Sequence, residues 1–451
     1  MPPRATAKPC IFLVALVFGI ATVTATSGQV TKPQSDQELA KKILEDDRLS
    51  DVLQRAKELL EGRFSAGSGY SSVWIRDLNT FIELALEVNS PDVVRKRLLT
   101  FFHFQGPDGN IPDGYSSRDK PHGGDREDRY RRSRTRPNLL AHKNTVETDQ
   151  ESSLIQAIYK YIKVTGDRSI LDEEVKGITV KKRLRQAMQY VMEHRFSEEY
   201  GLLWGATTID WGDVQPGHEW GVDIDENTHR AIDLYDNAMF LIAIENYLKM
   251  IEEPPQKEYW EDVRAGIANR TIKHLWDANR KKFRPNVYLN EDPWPEWFDE
   301  SRIYYTGSPA LAIRAGVLDE EKANQVVRNM INTKKYAGAA TLGIVNFPPY
   351  PSGFFKNNSL RPYNYQNAGD WSWWGGRIIQ VLVGSGREQL AYRELLPMLK
   401  RVQKHDGFYE WYTVDNEPRG SGKFRGSAGA LGKAIRRLRS WAKTVRSKKG
   451  K

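Results

Sequence analysis

The sequence predicts an all-α protein whose twelve helices pair into six hairpins and close into an (α/α)6 toroid. Three observations predict it. Apolar residues recur at three- and four-residue spacing in twelve stretches, the pattern of amphipathic helices. The Val/Ile/Thr-rich alternation of long strands is scarce. The connections alternate between tight turns and long Gly/Pro/Trp-rich segments. Antiparallel hairpins with tight turns at one end put every long connection at the other.

The stretches run in order. The first, 36–60, leads into a long connection that ends in "SSVWIRDLNT", and the second, 75–88, into the turn "NSP". The third, 92–104, opens the longest connection at "FQGPDGNIPDGY", and the fourth, 148–164, ends at "TGDRSILDEE". The fifth, 180–194, precedes "WGATTIDWGDVQPGHEW"; the sixth, 231–251, turns through "EEPPQ". The seventh and eighth, 257–278 and 305–317, are separated by a long segment, and only "LD" follows the eighth. The ninth, 320–332, gives way to a loop that reaches "YNYQNAGDWSWW". The tenth and eleventh, 372–383 and 388–403, are joined by "GSGR", and "HDGFYEWYTVDNEPRGSGKF" leads to the twelfth, 426–445. All the long loops then crowd one rim, where a rigid scaffold carries binding and catalytic groups.

The first residues stand apart. Arg4 and Lys8 precede an apolar run from Cys10 to about Thr22 and then small residues, a secretory signal pattern with cleavage expected after Ala25. The expected organisation is a signal peptide over 1–25, a catalytic domain over 26–442 and a basic tail over 443–451, with a secreted or periplasmic location. The run is shorter than the roughly 20 residues that span a bilayer, so no stable membrane association is expected. Cys10 is the only cysteine, so the mature chain has no disulfide, thiolate nucleophile or cysteine metal site.

The formal net charge of +9 falls by two when Arg4 and Lys8 leave. Much of the excess sits in "DREDRYRRSRTRP" (125–137) and in the tail, both read as solvated. Nucleic acid is not an expected partner, and the chain is expected to be a monomer. The eight histidines show no helical zinc spacing, and there is no nucleophile elbow, P-loop or dinucleotide fingerprint. No metal or cofactor is expected.

Four rim connections carry chemistry. Trp74, Arg76 and Asp77 could grip sugar hydroxyls, because charged groups make the stronger hydrogen bonds. Asp210 and Asp213 lie among Trp204, Trp211 and Trp220. A carboxylic acid beside indoles is partly desolvated, which raises its pKa and suits a proton donor; Asp210 is preferred and Asp213 stays open. Glu410, between Tyr409 and Trp411, supplies a second carboxylate to activate water. Flat indoles at Trp211, Trp371, Trp373, Trp374 and Trp411 suit sugar faces, with one of the 371–374 cluster expected in the core. Tyr365, Gln366 and Asn367 would orient ring hydroxyls.

On these segments the chain resembles the six-hairpin glycosidase superfamily over about 36–442. "VWIRD" resembles the Trp-x-Arg-Asp element of glucoamylase-like members, and "ETDQESSLIQAIYKYIKVTGD" their acidic helix start. "YNYQNAGDWSWWGGRIIQVLV" is similar to a helix of amylo-α-1,6-glucosidase-like proteins and neutral invertases. "YEWYTVDNEPRGSG" is similar to the C-terminal segment of glycoside hydrolase family 63, whose glutamate is the general base. The resemblance implies that Glu410 is the base and that the acid is Asp210, after apolar Ile209. It also implies inversion at the anomeric carbon, with a small carbohydrate, foremost an α-glucoside, as substrate. Two other classes compete: a catalytically inactive carbohydrate-binding toroid, and a lyase acting on an acidic glycan.

Overall fold

The computed structural model describes residues 35–121 and 130–448. Among the described residues the twelve stretches become thirteen helices. The carboxylate of Asp46 accepts the amide of Arg48 and splits the first stretch into α1 (Asp36–Glu45) and α2 (Asp47–Leu60). There follow α3 (Ile75–Ala85), α4 (Pro91–Phe102), α5 (Gln150–Thr165), α6 (Val180–His194), α7 (Leu234–Leu248) and α8 (Pro254–Leu275). The last five are α9 (Gly307–Ala315), α10 (Glu320–Ala337), α11 (Ser372–Gly384), α12 (Glu388–Lys404) and α13 (Arg425–Ser447).

Two kinds of helix alternate. α7 is buried on all sides from Leu234 to Ile244, whereas α2 buries Leu49, Val52, Ala56 and Leu60 and shows its other face to solvent. A helix apolar all round belongs inside, and a helix with one apolar stripe belongs outside. The neighbours agree: α3, α5, α7, α9, α11 and α13 touch in that order, and α13 touches α3 again, so the inner ring closes. The outer ring holds α4, α6, α8, α10, α12 and the α1–α2 pair, which packs on α13 to make the sixth hairpin from the two chain ends. The fold is the (α/α)6 toroid.

The glycines of the 369–384 segment serve this ring. A Cβ on Gly376 of α11 would stand 2.6 Å from the backbone of Ala430 on α13. On the other side, a Cβ on Gly429 of α13 would stand 2.2 Å from Cβ of Phe81 on α3. α13 is therefore a wedge, and only glycine lets its neighbours come so close.

Every inner helix begins where a long connection ends, so six N-termini surround one end of the ring. Short strands stitch those connections together. Residues 73–74 pair with 114–117 and these with 139–142, while 230–233 pair with both 205–206 and 286–288. At the far end, α13 runs through Ser447, beyond the expected domain end at 442; Gln37 of α1 donates to the carbonyl of Val445 at 2.9 Å. The expected signal segment, part of the basic loop (122–129) and the last residues lie outside the described residues. Among the described residues no helix is long and apolar enough to cross a membrane.

Candidate active site

The rim encloses a cavity of about 1340 Å³ above the N-termini of the inner helices. Its wall includes Trp74, Arg76, Asp77, Trp211, Asp213, Tyr365, Gln366, Trp371, Trp373, Glu410 and Trp411, all singled out in the sequence. Three others from that set do not line it: Asp210, Asn367 and Trp374.

Glu410 is held from two sides. Tyr70 donates its hydroxyl to Oε1 at 2.8 Å, and the amide of Ser421 donates to Oε2 at 2.7 Å. The second contact needs the backbone of 420 against the carboxylate; a Cβ there would fall 2.4 Å from Oε2, and Gly420 sits at φ +69. Burial pushes the Glu410 carboxyl above its ordinary pKa and the charge of Asp213 adds to this, while both donors oppose it.

Asp213 receives Gln366 Nε2 on Oδ1 at 2.9 Å. Among the described residues no donor reaches its Oδ2. Its charge is felt by Glu410, Asp113, Glu147, Tyr70 and Tyr365, so it stands amid the acidic groups of the cavity.

Asp210 has another place. It adopts a left-handed φ of +55 and is not among the residues that line the cavity. Both carboxylate oxygens lie 3.3 Å from the amide of Ser308, in the first turn of α9. A buried helix N-terminus leaves amides that need acceptors, and Asp210 supplies one. Burial raises its pKa to about 7, and the hydrogen bonds from Ser308 oppose the shift.

Arg76 points at Asp149 rather than at its neighbour Asp77. Nε and Nη2 donate to the two oxygens of Asp149 at 2.8 and 3.0 Å, Nη1 reaches the carbonyl of Trp211 at 3.3 Å, and Glu147 pairs with the same guanidinium. It ties α3 to the start of α5. Asp77 lines the cavity with a pKa pushed up to about 7, mainly by burial; Arg76 opposes this and Glu410 adds to it.

The tryptophan cluster divides. Trp371 lines the cavity, donates Nε1 to the carbonyl of Tyr365 at 2.9 Å and meets Trp211 edge-on, with ring centroids 4.7 Å apart. Trp373 shows one edge to the cavity and donates inward to Thr80 at 3.0 Å. Trp374 is wholly buried against Gly307 and Arg377 and is a core residue. Asn367 is equally internal: it accepts the amide of Tyr350 at 2.8 Å and donates to the carbonyls of Tyr350 and Leu360. It braces the loop that carries Tyr365 and Gln366.

Sequence reasoning did not single out Tyr70, Asp113, His142, Lys143 or Glu147, which also line the cavity. Asp113 has its pKa pushed up to about 7 by burial, with Arg76 opposing. Lys143 is engaged by Glu151 at 2.8 Å. The "GSGY" run before Trp74 and the acidic start of α5 were the available signals. Among the described residues no group of three or more His, Cys, Asp or Glu side chains is disposed to hold a metal ion.

No family model and no curated protein sequence matches this chain. Solved structures do. The GH63 mannosylglycerate hydrolase of Thermus thermophilus, in complex with glucose, superposes with a TM-score of 0.59 at 16% identity, covering 84% of this chain and 99% of that one. The two share the (α/α)6 toroid fold. A rhamnosidase from Klebsiella oxytoca with rhamnose bound gives a TM-score of 0.54 at 13% identity over 87% of this chain and 64% of its own. The GH78 family rhamnosidase of a Bacillus species gives 0.55 at 13% identity over 86% of this chain and 34% of its own. At these identities the likeness carries the architecture; the chemistry has to come from the cavity.

Proposed function

We propose that the protein is an inverting, exo-acting glycoside hydrolase in which Asp213 is the general acid and Glu410 the general base. The observation that carries this is the meeting of Asp213 and Glu410 on one indole-walled cavity, close enough for the charge of one to move the pKa of the other.

Their surroundings divide the roles. Glu410 accepts two donors, which favour the anion that a base must be. Asp213 has one oxygen engaged by Gln366, and among the described residues no donor reaches the other. Asp213 gives a proton to the glycosidic oxygen as the bond from C1 breaks and its electron pair stays on the leaving oxygen. Glu410 takes a proton from the water whose oxygen bonds to C1 from the opposite face. Inversion requires roughly 6.5–9.5 Å between the carboxyl groups to hold that water. The proton returns from Glu410 to Asp213 through solvent.

Exo action, release of one sugar from a chain end, is the mode proposed. An α-glucoside is the proposed substrate class; the Thermus structure that shares the fold binds glucose. The N-terminal apolar run supports secretion, and the mass of the exported chain tests it. The decisive experiment is anomer-resolved NMR of the product from α-glucosides. The β-anomer appearing first supports the reading; retention or an unsaturated product overturns it.

A further inference from the structure

Trp220 differs from the other exposed tryptophan. Trp297 is 71% exposed yet packs on Phe298 and Phe354, with centroids 5.9 and 5.6 Å away. Trp220 is 59% exposed, lines the cavity, and among the described residues no aromatic ring or cation stacks on it. An indole face left uncovered on the wall of a binding cavity is one that a ligand ring can cover.

The backbone around it is fixed, so the indole is displayed rather than loose. Gln215 Nε2 donates to the carbonyls of Gly221 and Asp223 at 3.3 and 2.9 Å. The carbonyl of Val222 accepts the amides of Thr145 and Val146 at 2.8 and 3.3 Å, and Asn357 donates to the carbonyl of Glu219. The same connection carries Asp213 on the cavity wall. A general acid stands on the leaving-group side of the scissile bond. The segment that runs from Asp213 to Trp220 therefore forms that side of the cavity. The cavity's 1340 Å³ also exceeds the roughly 300–1,000 Å³ of a small-ligand site, so there is room beyond a single hexose ring.

We infer that Trp220 is the stacking platform for the leaving-group sugar, and that the substrate is a neutral α-linked oligosaccharide with at least one ring beyond the cleaved bond. This rests on the glycosidase reading. A sugar's C–H face covers the indole, while its hydroxyls stay in water.

The test compares two substrates in the Trp220→Ala variant. α-D-Glucosyl fluoride has no ring beyond the cleaved bond; maltotriose has two. For maltotriose, kcat/KM should fall about ten- to a hundredfold, mostly through KM. For the fluoride it should stay within about twofold, and Trp220→Phe should recover most of the maltotriose loss. Equal losses on both substrates, or none on maltotriose, overturn the inference. Wild-type protein that splits the fluoride but neither splits nor binds maltotriose also overturns it and leaves the proposed function standing. Inactivity of the wild type on both overturns the two together.

Discussion

The connection between α6 and α7 sends two aspartates in opposite directions. Its first part delivers Asp210 to the amide of Ser308 at the start of α9. Its second part puts Asp213 on the cavity wall beside Gln366. Burial lifts Asp210 to a pKa of about 7, the value one would want in a catalytic acid, yet it serves a helix end. A raised pKa marks desolvation, and desolvation serves catalysis only where a reacting atom can arrive.

Substitutions can break this contrast, starting with the largest effect. Asp213→Asn and Glu410→Gln should each lower kcat by about 10²–10⁴-fold or more with the melting temperature unchanged. Near-wild-type turnover in either would remove that residue from the mechanism, and a loss of that size in Asp210→Asn would move the acid back to 210.

Next comes Arg76→Met, which strands Asp149 and Glu147 as buried carboxylates. It should destabilise the fold by about 3–5 kcal/mol in urea unfolding. If stability holds and only KM rises, Arg76 grips substrate instead of tying α3 to α5.

Asp210→Ala removes an acceptor at a helix start and should cost about 0.5–2 kcal/mol, read as a lower urea midpoint, with kcat changed little. Asp210→Asn keeps an acceptor oxygen and tolerates the left-handed backbone, so it should be close to neutral in both measurements.

Two pH effects are smaller. Activity should rise with pH as Glu410 deprotonates, with the acid limb of kcat/KM above the ordinary glutamate value because burial raises this pKa. Tyr70→Phe removes a donor to the anion and should move that limb further up. In the loop that displays Trp220, His218 faces two acceptors, the carbonyl of Pro216 at 3.0 Å and Asp225 at 2.9 Å. Burial lowers its pKa and Lys356 adds to that, but these two contacts win and raise it. Its stabilising contribution is therefore full below the unfolded histidine pKa and lost as pH rises through the folded value. Amide protection in 217–223, taken relative to base-catalysed intrinsic exchange, should fall on that rise in wild type and stay level in His218→Gln.

The ring was legible because connection length is a topological quantity: tight, long, tight, long fixes which helix ends share a rim. The break at Asp46 was not legible, since "LEDDRLS" keeps its apolar spacing across the cap. In the cavity, the aromatic-rich loops pointed to Trp74, Tyr365, Trp371 and Trp411, which line it. What spacing could not reveal was direction. Spacing put Asp210 first, whereas Asp213 is the aspartate that lines the cavity. Arg76 bonds to Asp149 at the start of the neighbouring inner helix rather than along the chain to Asp77. Tyr70 comes from the α2–α3 connection and Asp113 and Glu147 from the α4–α5 connection, and only the packing of the two brings them to one cavity.

That closure also dictates an order of events in synthesis. α13 is the wedge between α3 and α11 and the partner of α1 and α2, so the earliest and latest helices depend on each other. Contacts so distant in sequence form slowly and expose apolar flanks in the meantime. Until the final helix leaves the ribosome, the ring is an open arc with two sticky edges, and a nascent chain stalled before Arg425 has every cavity carboxylate but no enclosure to hold them.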